Sequence, residues 1–586
     1  MEEREPSDRA DVCVVGAGPA GALVASRLAN DGHDVVVLEA GPRFDFESRQ
    51  ERMERAIRPG GRGDVWEMGG ERDAYTSGGD RFYPLNVTRV KGVGGSTLHW
   101  QGMVMRFHPT DFDGGHENAD PAWPISYEDL RPYYAEVERA MGVAGDADNP
   151  FAPSRENPYP MPGFPPSYSD SLFAEACESL GIATHSVPNA RNSEGYDGRG
   201  QCVGYGTCQP VCPSGAKYDA SVHARDAEEA GARIVDRVPV QRLETDGEGR
   251  VTAAVYATPD GTEHRQTARE FVLAAGGVEI PRLLLLSRSE AHPNGLANSS
   301  GLVGRYFMEH LFAGAGGTLD RETRQNHVGF ITSETHQFYD DPGQAVEHAG
   351  TGETVVESTG ESFSPIKLEF LNYAGPSPVE IALDGETWGD DLLADLRSAY
   401  GTHIAMGGLV GQPPRKENRV TLDTSRTDDH GNPVPDIRWS LGSRVKRSLR
   451  RANEIQVAIL RELGAEIGGT VGPEHTGPAY HHMGTTRMGT DPAESVVTPT
   501  LRTHDLTNLS VASSSAFVTA GSLNPTLTIG ALALKCADHV GQRLSSRARG
   551  SPRRRATGGL PRRRPRAGTA APRGPVPRLS SGRTRP

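Results

Sequence analysis

The stretch "ADVCVVGAGPAGALVASRLANDGHDVVVLEAGP", Ala10 to Pro42, constrains this chain more than any other. Asp11–Val15 reads as a short apolar strand. Gly16, Gly18 and Gly21 follow in G-x-G-x-x-G register, and Ala20–Leu28 reads as a helix. His33–Leu38 is a second apolar strand that ends at Glu39. The first glycine permits a tight turn, and the second lets backbone N–H groups approach a pyrophosphate. The third allows helix and strand to pack closely, with the helix N-terminus favouring negative charge. Glu39 is placed to accept hydrogen bonds from an adenosine ribose. Strand, glycines, helix, strand and acid in this order predict a dinucleotide-binding unit. The pattern alone leaves NAD and FAD both open.

At 586 residues the chain is too long for one core, so two or more units are expected. No run approaches the roughly 18 apolar residues of a membrane span. The apolar run near the start is too short for a signal peptide and lacks a small-residue cleavage site. A cytoplasmic chain is the expectation. Six cysteines in this length do not make a disulfide framework. Residues 543–586 carry 14 Arg and no Asp, Glu or Lys. The net charge of −14, less the +14 of that tail, leaves −28 on the other 542 residues. With only 6 Lys against 56 Arg, the body fits a salt-adapted cytoplasm or an acidic enzyme of a GC-rich genome. The Arg/Pro/Gly-rich tail is expected to be disordered. It has no aromatic residues for stacking, so nucleic-acid binding is not expected of it.

Further motifs follow in order. "GVGGSTLHWQGMVMRFHPTDF" (Gly92–Phe112) is a Gly-rich loop with His99-Trp100 just behind Gly94, Gly95 and Ser96. "REFVLAAGGVEIPRLLLLS" (Arg269–Ser287) reads as strand, Gly turn and helix, and "GLVGRYFMEH" ends at His310. "HHMGTTRMGTDP" begins at His481, and "GSLNPTLTI" carries Asn524. Asn418–Ser440 has the alternation and turn residues of a hairpin. This set, in this order, resembles the glucose–methanol–choline (GMC) family of FAD-dependent oxidoreductases, from about Asp11 to Val540. The resemblance implies an α/β chain, α+β overall. A discontinuous Rossmann-like FAD-binding domain would comprise 1–110, 200–325 and 475–542. A substrate domain on an antiparallel sheet would comprise 111–199 and 326–474.

Oxidising an alcohol needs a base for the hydroxyl proton and an acceptor for the hydride. A neutral imidazole and a flavin N5 suit these roles. With 19 His in the chain, position in a motif must select the base. The resemblance places it at His481, with His482 as competitor, and puts Asn524 on the substrate oxygen. It implies Gly16, Gly18, Gly21, Glu39, Gly94, Gly95, Ser96, His99 and Asn524 as the FAD site. In some members a His at the His-Trp position is bonded to the flavin, so covalent FAD at His99 and noncovalent FAD both stay open.

Cys202, Cys208 and Cys212 have C-x5-C-x3-C spacing in a Gly/Pro-rich segment. The odd number and the expected compartment disfavour disulfides. Structural zinc usually wants four ligands in C-x2-C pairs, although His223 could add a fourth. Three thiolates before Pro-Ser-Gly-Ala favour iron–sulfur chemistry. The segment resembles that of the flavoprotein subunits of bacterial FAD-dependent glucose and gluconate dehydrogenases, and the resemblance to the glucose enzyme, where a matching run binds a 3Fe–4S cluster, implies such a cluster here. Cys13, Cys177 and Cys536 are expected to pack as small hydrophobes. The leading expectation is a dehydrogenase for a sugar, polyol or sugar acid. Its electrons would leave through the cluster to a protein or quinone acceptor, with a small subunit and a cytochrome as partners. Those partners could hold the chain at a membrane. An oxygen-using oxidase with a metal-free Cys segment is the alternative, and a flavin-free binding protein the remote one.

Overall fold

In the computed structural model, which describes residues 4–58, 65–114, 122–325, 328–373 and 375–550, strand Ala10–Val15 sits inside a mostly parallel sheet. Val35–Leu38 pairs with it on one side and Glu263–Leu273 on the other, both parallel. Arg233–Val235 extends the sheet beyond Val35–Leu38. Leu509–Val511 joins the end of Glu263–Leu273 in parallel, and Val251–Ala257 and Val240–Thr245 add an antiparallel ribbon at its start. Ala10–Val15 and Val35–Leu38 are almost wholly buried, as continuous apolar runs in a covered parallel sheet must be. Helix Pro19–Asn30 starts directly after Gly18, with Pro19 in the first turn where its missing N–H costs nothing. The strand–glycine–helix reading at Arg269–Ser287 resolves into Glu263–Leu273 and helix Gly276–Leu286.

A second sheet is antiparallel throughout. Its order is Glu466–Val471, Leu311–Thr318, His403–Val410, Ile366–Phe370, Ser333–Thr335, His185–Ser186. Helix Ser443–Glu462 covers it, burying Val445, Leu449, Ala452, Ile455 and Ile459 at three- and four-residue spacing. The hairpin read at Asn418–Ser440 forms from Arg419–Thr427 and Pro433–Arg438, and Thr76–Gly78 adds to it in parallel. The α/β architecture, with one Rossmann-like and one antiparallel layer, is the expected one. Leu311–Thr318, numbered within the 200–325 segment, belongs to the antiparallel layer.

The final helix, Thr526–Gly550, runs past Arg543, so the compositional boundary of the tail falls inside a helix. Arg543 pairs with the buried Glu270 at 3.0 Å, Leu544 is buried, and no proline intervenes before Pro552. The rest of the tail expected to be disordered, from Ser551 on, lies outside the described residues. Among the described residues no helix is long and apolar enough to cross a membrane.

Candidate active site

A cavity of about 1010 Å³ runs from the first glycine turn to the C-terminal motifs. Its walls bring together Gly16, Gly18, Glu39, Gly95, Ser96, His99, His481 and Asn524. Gly21 and Gly94 shape it from behind. A Cβ on Gly21 would lie 1.9 Å from the Gly16 carbonyl oxygen, so helix and strand can approach this closely only at glycine. Gly94, at φ +107°, turns the chain into the short 3-10 helix Gly95–Leu98. A Cβ on Gly18 would meet only Gly95, at 3.9 Å, which leaves the backbone open toward the cavity. Both Glu39 oxygens accept backbone N–H groups, from Ala17 at 2.7 Å and Gly41 at 2.9 Å. Burial raises this carboxyl and those two bonds oppose the rise. A cavity of this size behind a glycine turn, with a fixed acid in its wall, fits FAD.

At the other end, His481 is positioned by a backbone pairing. Met308 and Met483 exchange hydrogen bonds of 2.9 and 3.1 Å, and Ala479 N–H donates to the His310 carbonyl at 2.9 Å. This sets His481 against His310, with their Nδ1 atoms 2.9 Å apart. Gly484 is required by the same pairing, because a Cβ there would lie 2.2 Å from the Tyr306 carbonyl oxygen. His310 Nε2 lies 3.0 Å from the Ala520 carbonyl, which can only accept. Burial lowers the pKa of His310 to about 4, so the ring is neutral, with its one proton on Nε2. His310 Nδ1 is then an acceptor, His481 Nδ1–H donates to it, and His481 Nε2 carries a free lone pair. Burial, with His310, Lys367 and His482 nearby, holds His481 well below the ordinary histidine pKa. His310 closes the motif "GLVGRYFMEH", and its pairing with His481 across 171 positions is not legible in the sequence.

His482, the competitor, is committed elsewhere. The Thr88 hydroxyl donates to the Leu85 carbonyl at 2.9 Å, so it accepts from His482 Nε2 at 3.0 Å. Asn524 lies just before the final helix, in a loop that also carries the Ala520 carbonyl. Its Oδ1 accepts from Lys367 Nζ at 2.8 Å, a partner not foreseen from sequence. His99 lines the cavity, and burial lowers its pKa to about 4.

The six cysteines are all free, and Cys13, Cys177 and Cys536 are buried as expected. In the Cys202–Cys212 segment, Cys208 and Cys212 are buried and Cys202 is half-buried. Among the described residues the three sulfurs do not gather within the 4.8 Å that a single shared ion needs. His223 Nδ1 lies 2.9 Å from the Tyr218 hydroxyl, and among the described residues His223 does not gather with the cysteines into a set that could share one ion. Two buried cations flank the cysteines. Lys217 Nζ donates to the carbonyls of Leu98, Trp100 and Cys208, at 3.3, 2.5 and 2.7 Å. Arg191 donates to Asn189 Oδ1 and the Gln101 carbonyl and stacks over Phe330. Neither has a carboxylate partner among the described residues. Burial raises Cys212, but the Lys217 backbone N–H, the Lys217 ammonium, Ser214 and Arg191 outweigh it, so its pKa is lowered.

Comparison with known proteins agrees with this geometry. GMC oxidoreductase family models match residues 83–312 and 414–533, and a Rossmann-like NAD(P)-binding model matches residues 14–61. The fructose dehydrogenase large subunit of Gluconobacter japonicus is 34% identical over 571 residues, covering 91% of this chain and 97% of its own. The 2-methyl-1,2-propanediol dehydrogenase of Mycolicibacterium austroafricanum is 30% identical, covering 92% of this chain and 96% of its own. A solved Aspergillus oryzae formate oxidase variant shares the fold, with TM-score 0.64, 18% identity, and coverage of 92% of this chain and 99% of that one. The chain therefore belongs to the GMC oxidoreductase family, as an FAD-dependent oxidoreductase acting on CH–OH groups.

Proposed function

We propose that this chain oxidises an alcohol carbon of a sugar, polyol or sugar acid, with His481 as the base. The observation that carries this reading is the chain from the Ala520 carbonyl through His310 to His481. It leaves His481 Nε2 unprotonated on the wall of the cavity, ready to take the hydroxyl proton. Asn524, on the same wall, holds the substrate oxygen and so aims the carbinol C–H. Bound FAD supplies the hydride acceptor at its N5. Gly16, Gly18, Gly21 and Glu39 hold its adenosine and pyrophosphate, and Gly94, Gly95, Ser96 and His99 bound the flavin end. The segments 1–110, 200–325 and 475–542, apart from the strand Leu311–Thr318, form the FAD domain in this reading, and 111–199 with 326–474 the substrate domain.

Cys202, Cys208 and Cys212 are proposed to hold a 3Fe–4S cluster. Each thiolate would bind its own iron, so the sulfurs need not meet at one point. Two buried cations without carboxylates suit an anionic guest, since an unpaired buried charge costs roughly several kcal/mol. When bound, the cluster passes electrons from the flavin toward a protein or quinone acceptor. The Gluconobacter relative is a large subunit, which supports a partner subunit here as well. An absorption spectrum with iron and sulfide analysis tests both cofactors. Flavin bands with about three irons per chain are expected, and flavin without iron removes the electron relay. Fluorescence of the denatured band decides whether His99 carries the flavin covalently.

A further inference from the structure

Lys367 lies on the strand Ile366–Phe370 of the antiparallel sheet, fully buried, and faces three acceptors. Its Nζ is 2.8 Å from Asn524 Oδ1, 2.7 Å from Glu369 Oε1 and 3.1 Å from Glu334 Oε2. An ammonium has three protons and no lone pair. It can therefore contact only the oxygen of the Asn524 amide, never the nitrogen. That contact settles which way the amide is turned. Asn524 Nδ2 has no protein partner among the described residues, and Asn524 lines the cavity.

We infer that Lys367 is a positioning residue that fixes Asn524 as a hydrogen-bond donor to the reacting oxygen. Asn524 thereby stabilises negative charge on that oxygen as His481 removes its proton, which an amide turned the other way cannot do. The polarity of the two contacts is complementary: His481 presents a lone pair and Asn524 an N–H. Each is oriented by a neighbour with a single role in that contact, the Ala520 carbonyl through His310 and the Lys367 ammonium directly.

The lysine is itself held. Glu334 Oε1 accepts from His336 Nε2 at 2.9 Å, and His336 Nδ1 accepts from Asn149 Nδ2 at 3.3 Å. His185, Glu334 and His336 lie close enough to share a metal ion. Asn149 takes up His336 Nδ1 and the Lys367 ammonium pairs with Glu334 Oε2 at 3.1 Å, while His185 Nε2 keeps no hydrogen-bond partner among the described residues; with a cation already on Glu334, the trio serves as the buttress of the lysine. Burial works against its charge, but the carboxylates of Glu334 and Glu369 together outweigh it and keep Lys367 charged, and hence a donor only.

This inference rests on the proposed roles of His481 and Asn524, and a double-mutant cycle separates the two. The rate of anaerobic flavin bleaching is measured on the holoenzyme. The probe is the fastest alcohol among D-fructose, D-glucose, D-gluconate, D-sorbitol and 1,2-propanediol. Lys367→Met should slow bleaching by about 10- to 100-fold with little change in the concentration for half-maximal rate. In an Asn524→Ala background, the same substitution should cost less than about twofold more. Lys367→Met/Glu334→Gln repeats the cycle with the charge balanced, should the single variant lose its flavin. Equal losses from Lys367→Met in both backgrounds overturn the inference, as does a full rate in Lys367→Met where Asn524→Ala is slow. Full rates in both His481→Ala and Asn524→Ala, or no bleaching by any probe, overturn the functional reading and this inference with it.

Discussion

The corner around His481 and the segment around the three cysteines treat buried charge in opposite ways. Near His481 the groups that orient the site have their counterparts in the chain: His310 on the Ala520 carbonyl, Lys367 between two carboxylates, Thr88 under His482. Around the cysteines, Lys217 and Arg191 are buried with only neutral acceptors and an aromatic ring. A completed polar network gives geometry, which a proton transfer needs. An incomplete one leaves room for a guest that brings the missing charge. In the proposed reading, the first region works as an arranged set of side chains and the second as a receptacle.

The comparison can be broken in steps. Cys208→Ala should show the largest change in composition, with iron and sulfide lost from the purified protein and the flavin spectrum kept. Loss of both cofactors together would mean that the two regions are not separate devices. His310→Leu should act on the other region alone, slowing flavin bleaching by about 10²-fold or more with iron content unchanged. An unchanged rate would mean that His310 does not set the His481 tautomer. Lys217→Met is expected to lower iron content only partly, since it removes one of two cations. Full retention of iron would show that the unpaired charge is not what binds the guest.

The smallest effect is on stability. Burial depresses His99, His223 and His310 to about 4, and His336 and His482 to about 3. Between those values and the unfolded value near 6.5, the unfolded chain binds more protons, so stability falls as pH drops. Glu309, raised to about 8 by burial, works the other way, losing stability as pH rises from about 4.5 to 8. Five groups against one predict a thermal midpoint lower at pH 5 than at pH 7. An equal or higher midpoint at pH 5 would place the imidazoles in contact with water.

The sequence made the cofactor end legible because its chemistry is local. The turn at Gly16, the helix start at Gly18 and the acid at Glu39 lie within one βαβ unit, where each glycine has a steric reason readable from spacing. His481 and Asn524 are singled out as candidates only through motif position, since nothing local marks one histidine among 19. The groups that orient them were not legible at all. His310 meets His481 across 171 positions and Lys367 meets Asn524 across 157, each through pairing of distant segments. The tail boundary failed for a related reason: composition changes at Arg543, but that residue is tied to Glu270 in the parallel sheet. The cysteines were visible as a cluster from the start. What the structure adds is Lys217, which joins the Cys208 carbonyl to the loop carbonyls of Leu98 and Trp100 beside His99.

The most direct measurement is anaerobic mixing of flavin-loaded enzyme with the alcohol panel, comparing the unaltered chain with His481→Ala. The account predicts bleaching of the flavin band by at least one sugar or polyol, and a rate about 10³-fold lower in the variant with flavin content unchanged. Equal bleaching rates in the two proteins would contradict it.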